Sequence, residues 1–72
     1  MKKLSQLQAG TSAYISRLPA GLIRSQFIRL GLIEGMMITC SQRLPGGTLV
    51  LEHNHQEIAL SSYLADEIMV NL

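Results

Sequence analysis

Cys40, His53 and His55 are the side chains whose types suit nucleophilic or metal chemistry, and five carboxylates are scattered through the same chain. A catalytic cysteine needs an electropositive, partly open site that lowers its pKa. Cys40 instead shares an alternating run with Met36 and Ile38, which predicts a core position of the kind free cysteine commonly takes. Nothing in the sequence places a histidine beside it. Pro45-Gly46-Gly47 lacks the Lys-Ser/Thr that follows a phosphate-binding loop. The residues therefore point away from an enzyme.

His53 and His55 lie two apart, flanked by Glu52 and Glu57. In a straight strand both imidazoles would share a face and could share a metal. The pair falls instead at His53-Asn54-His55, a turn signal, and reads as an exposed polar hairpin tip. Two ligands are also short of the four of a structural zinc site. No resident cofactor is expected, and weak Fe²⁺ or Zn²⁺ binding at His53 and His55 is the metal chemistry the chain offers. Met36, Met37 and Met69 suit soft metals, but their place in two strands reads as core filling.

Arg17, Arg24, Arg29 and Arg43 are the other chemistry-bearing set. Arg24 and Arg29 lie on one expected helix, five residues apart, and would give that end of the molecule a positive surface for an acidic or phosphate-bearing partner. Tyr14 and Tyr63 are candidate anchors for a partner peptide, since tyrosine is enriched at interface hot spots. RNA-binding barrels usually carry exposed aromatics on a basic face. With Phe27 assigned to the core only these two tyrosines remain, so no nucleic-acid partner is expected.

The elements that must position these residues are short. Thr11 to Leu18 alternates, with Ala13 and Ile15 on one face and Ser12, Tyr14 and Ser16 on the other. Pro19 stops it. From Gly21 to Gly31 the spacing of Ile23, Phe27 and Leu30 predicts a helix with those three on its buried face, closed by Gly31 in the left-handed conformation. Met36 to Leu44, Thr48 to Glu52 and Gln56 to Leu60 read as hairpin-linked strands. Their turns are Pro45-Gly46-Gly47 and His53-Asn54-His55, with Asn54 as the left-handed residue. Ser61 to Glu67 reads as a helical turn capped by Ser61 or Ser62, and Ile68 to Leu72 as a closing strand. About five short strands with one α-helix between the first and second predict a mainly β, closed small barrel over residues 1–72 as a single domain, because closure removes sheet edges.

Composition bounds the rest. A chain of 72 residues is marginal in size, and a lone Cys40 forms no internal disulfide, so stability must come from the 47% of residues that are hydrophobic. A single unpaired cysteine fits a reducing compartment. Met1-Lys2-Lys3 opens like a signal peptide, but Ser5, Gln6 and Gln8 interrupt the apolar stretch that should follow. No apolar run approaches the ~20 residues of a membrane span. A soluble, cytoplasmic protein is expected. A net charge of +1 gives no global pull toward nucleic acid or membranes.

The order of these pieces is similar to the ferrous iron transport protein A family. Phe27-Ile28-Arg29-Leu30-Gly31-Leu32-Ile33-Glu34-Gly35 resembles its "RL..LGL.PG" signature, in which Gly31 and Gly35 hold structural places. Ile58-Ala59-Leu60 and Ala65-Asp66-Glu67-Ile68-Met69-Val70 resemble its ending, and Leu4, Leu7, Gly10, Ala13 and Ile15 its opening. Phe27 stands where leucine is customary, Gln26 where arginine is common and Glu34 where proline is common. The resemblance implies an SH3-like barrel at the inner face of the membrane, modulating ferrous iron uptake through a transporter that carries a cytosolic GTP-binding domain. It also implies a similarity to the C-terminal domain of iron-dependent repressors, and hence the alternative of a stand-alone metal- or peptide-sensing domain. Self-association is left open.

Overall fold

The computed structural model describes residues 1–72. Six strands form one antiparallel sheet: β1 (Lys2–Lys3), β2 (Ser12–Arg17), β3 (Met37–Arg43), β4 (Leu49–His53), β5 (Gln56–Leu60) and β6 (Met69–Asn71). Helix α1 (Leu22–Arg29) joins β2 to β3, and the short α2 (Ser62–Ala65) joins β5 to β6. A 3₁₀ turn, Leu4–Gln6, follows β1.

Strand order across the sheet is β1-β6-β2-β3-β4-β5. Two corrections to the sequence reading follow. A sixth strand exists, because Lys2 and Lys3 pair with Val70 and Met69, and α1 consequently lies between the second and third strands. The hydrogen-bonded ladder also does not close: β1 and β5 are its two edges. Two residues are too few to betray a strand by alternation, and β1 exists only because β6 lies beside it.

Seventeen residues are buried, all hydrophobic. Alternation places Ala13 and Ile15 on β2 and Ile38 and Cys40 on β3 inward as expected, with Met36 just before β3. Leu60 on β5 is buried too, whereas on β4 Leu49, Val50 and Leu51 are all buried and burial does not alternate. Phe27 carries α1 into this core, with Ile23 packed against it. Leu30, expected on the same face, is 48% exposed. Regular helix ends at Arg29 and Gly31 turns the chain at φ +96°. The Leu32 amide then reaches back to the Phe27 carbonyl (3.0 Å) and the Gly31 amide to that of Ile28 (2.9 Å). This is a Schellman closure, whose hydrophobic partner is the residue after the glycine, so Leu32 is buried in place of Leu30.

Both hairpin turns form where the sequence marks them. At the second, Asn54 and His55 both have positive φ (50° and 66°), so the left-handed conformation extends one residue beyond Asn54. A two-residue turn of the type whose twist matches the strands requires both. Ser61 caps α2, its side chain accepting from the Leu64 amide at 3.2 Å.

Candidate functional site

The start of α1 is fixed by a three-way clamp. Nη2 of Arg24 lies 2.9 Å from Oε1 of Glu34, and Nη1 lies 3.3 Å from Oε2. The Leu18 amide donates to Oε2 of Glu34 (3.0 Å), and Nη1 of Arg24 also reaches the Leu18 carbonyl (3.4 Å). Hydrogen bonding from Arg24, then from the Leu18 amide, holds the Glu34 carboxyl below its usual pKa against the opposing effect of burial, with a lesser contribution from the positive charges of Arg24 and Arg17. The same contact raises that of Arg24. The two arginines expected to form a common positive surface are therefore unlike. Arg24 is neutralised by the molecule's one ion pair, whereas Arg29 is exposed and makes no salt bridge. Glu34 is the residue sequence reasoning left without a role. Its signal was its place at a position where proline is common in similar sequences.

Arg43 keeps its charge but its guanidinium is engaged by the backbone. A bulge between Cys40 and Gln42 re-aims the end of β3, and Nη1 of Arg43 donates to the carbonyls of Ser5 (2.7 Å) and Leu7 (2.9 Å). It ties the 3₁₀ turn to the sheet, while the Ser5 hydroxyl ties the same turn to the end of α2 through the Asp66 carboxylate. Arg17 and Arg29 remain as the arginines without a bonded partner.

Around α1 stand exposed apolar side chains: Leu22, 85% exposed, with Ile28 and Ile33, which alternation and helical spacing did not flag, and Leu30, which helical spacing had placed on the buried face. Tyr14 is 53% exposed on β2 and lies opposite Met37, 50% exposed on β3, so these two share the solvent face of the sheet. Tyr63, 81% exposed, projects from α2. The two tyrosines thus sit on separate elements. A cleft of about 230 Å³ lies between the chain ends, lined by Met1, Lys2, Val70, Asn71 and Leu72.

The histidines part company at the turn. Nδ1 of His53 donates to the Met37 carbonyl at 2.8 Å, pinning its ring across β3. His55 occupies the second turn position and is exposed. No three side chains among His, Cys, Asp and Glu come together as a metal-holding group. Cys40 is fully buried, and burial raises its thiol pKa against the weaker opposing pull of Arg43. Gly31 and Gly35 both hold positive φ; the Gly35 amide bonds to the Ile15 carbonyl at 2.7 Å. No helix is long and apolar enough to cross a membrane.

The FeoA domain pattern matches residues 2–72. This chain belongs to the FeoA family. The iron(II) transport protein A of Clostridium thermocellum is 32% identical, with a TM-score of 0.88 over 97% of this chain and 44% of its own. FeoA of Stenotrophomonas maltophilia, whose crystal structure holds zinc, is 25% identical with a TM-score of 0.75, over 99% of this chain and 91% of that one. That protein is described as a procaryotic SH3 domain protein and suggested as a ferrous iron transport activating factor. IdeR of T. acidophilum is 24% identical with a TM-score of 0.82, over 97% of this chain and 33% of that one; at that identity the likeness concerns the fold. No curated protein sequence matches. The fold is SH3-like and mainly β, as the sequence reading expected, and FeoA domains are small accessory domains rather than a known enzyme family.

Proposed function

We propose that this FeoA domain is an accessory module of ferrous iron transport. In this reading it sits at the cytoplasmic face of the membrane, docks on the GTP-binding part of an Fe(II) transporter, and modulates uptake. The observation that carries it is the match of the FeoA pattern across residues 2–72, supported by the transport role suggested for the S. maltophilia relative.

The docking surface is assigned to the exposed side of α1. Leu22, Ile28, Leu30 and Ile33 offer apolar area there, and Arg29 offers a cation not engaged in an ion pair. A few well-packed, desolvated anchors supply most binding energy, whereas rim charges chiefly govern the association rate. Arg24 contributes by holding α1 in place through Glu34, and Tyr14 and Tyr63 are secondary anchors. The test is a deletion strain complemented with wild type or with Leu22→Asp/Arg29→Glu. Wild type should restore uptake of radioactive ferrous iron and the double variant should not, while both fold alike by circular dichroism. Unchanged uptake on deletion would overturn the role; full rescue by the double variant would overturn the surface.

A second reading, a metal-sensing domain, draws on the zinc in the S. maltophilia structure. It would place Fe²⁺ or Zn²⁺ at His53 and His55, with the Nε2 of His53 left free by its bond to Met37. Calorimetry comparing wild type with His53→Ala/His55→Ala decides it: equal heats eliminate the reading.

A further inference from the structure

The two sheet edges are finished in different ways. At β1 the edge is two residues long, both lysine, and the outward amide of Lys3 is taken by Oε1 of Gln6 at 3.1 Å. Short, charged, self-capped edges resist further pairing. β5 is finished differently: it is five residues long, with no proline, lysine or bulge, and its one charge is the acidic Glu57.

The turn at Asn54-His55 sets which backbone groups of β5 are free. His53 and Gln56 close the two-residue turn and form its hydrogen-bonded pair, so bonded pairs recur at Leu51–Ile58 and Leu49–Leu60. Glu57 and Ala59 therefore aim their amides and carbonyls away from β4. No hydrogen bond outside the ladder ends on either backbone, and both residues are exposed. Four backbone groups stand ready in strand geometry.

Charge then selects the occupant. Glu57 lies directly opposite Glu52, and like charges so placed are destabilising. Neither is in an ion pair. All six lysines and arginines lie at or before residue 43, and four of the five acids lie after it. Beside Glu57, Ala59 is small and shares its face with Val50, opposite it on β4.

We infer that β5 is an edge for β-strand addition by an extended basic segment of another protein. The added strand lies antiparallel, as every pair in this sheet does. It sets a lysine or arginine opposite Glu57 and, two residues earlier, an apolar side chain over Ala59 and Val50. The main chain supplies affinity and the alternate side chains supply selectivity, as in other strand additions. A second copy of this chain fits less well. Pairing β5 with itself about a two-fold axis sets Glu57 opposite Ala59 and makes the two Glu57 residues diagonal neighbours, about 7–8 Å apart along the backbone and within reach of each other's charge. This edge is distinct from the α1 surface and does not depend on it.

The experiment is an NMR titration of the full chain with a threonine-rich peptide carrying Val-Thr-Lys at its centre. Shifts should be confined to β4 and β5, and exchange of the Glu57 and Ala59 amides should slow. Replacing the peptide's lysine by glutamate should weaken binding about tenfold or more. The variant Glu57→Lys should reverse that preference, a result no folding defect produces. N-methylating the peptide at its edge-facing positions should abolish binding at unchanged charge. The inference is overturned by shifts elsewhere, by no binding, by indifference to the peptide's charge, or by a dimer whose Glu57 and Ala59 amides are already protected without peptide.

Discussion

Glu34 shows how a surface residue can organise a segment without being buried. It joins the end of β2, through the Leu18 amide, to the first turn of α1, through Arg24. Because its pKa is lowered in the folded state, the unfolded chain takes up a proton at this group more readily. Its contribution is present in full above the ordinary carboxylate range and is lost as pH falls through the depressed native value. Comparing Glu34→Gln with wild type isolates the charge, since glutamine still accepts from Leu18. The melting temperature of the variant should be lower at neutral pH, and the gap should close in acid. Cys40 is the opposite case, a reactive type silenced by position. Buried, with its thiol pKa raised, it should resist a thiol reagent in the native state and be labelled only as the protein unfolds. Prompt labelling under native conditions would contradict its burial.

At the scale of elements, α1 depends on one aromatic and one glycine. Phe27→Ala should cost about 3–5 kcal/mol, the range for removing a buried aromatic, read as a lower urea midpoint. Gly31→Ala should cost about 1–2 kcal/mol, because alanine is forced to keep φ +96° with no steric clash to add to it. The β4–β5 turn offers a gain. His55 holds φ +66°, where glycine is preferred in a two-residue hairpin, so His55→Gly should stabilise by about 0.5–1 kcal/mol after the entropic cost of glycine is subtracted. That variant also removes half of the His-x-His pair, so a loss of metal affinity would show up in the same protein.

For the whole molecule, the core is apolar throughout and no buried side-chain polar atom lacks a partner. A chelator should leave the melting temperature unchanged. A drop would mean that metal is a structural component. Its charge is divided along the chain: the cations lie on β1, β2, α1 and β3, and the acids of the second half lie on β4, β5 and the segment from α2 to β6. The two proposed surfaces follow that division, α1 for an acidic partner and β5 for a basic strand.

Much of the fold was legible in the residues. Period-two alternation is a property of the strand itself, so the inward set of Ala13, Ile15, Ile38 and Cys40 could be read directly. Gly31 as a helix stop and the two turns follow from which residues tolerate positive φ. Leu30 misled because helical spacing says which side chains align, not where the helix ends; the Schellman closure handed its buried place to Leu32. β1, the open ladder and the free edge of β5 were invisible for a related reason, since pairing depends on which strands meet across dozens of residues. The candidate site divides the same way. Arginine and tyrosine types were evident from the sequence alone, but only tertiary structure brought Glu34 to Arg24 and the Ser5 and Leu7 carbonyls to Arg43. It left Arg29 without an ion pair, because neutralisation of a side chain is decided by neighbours in space.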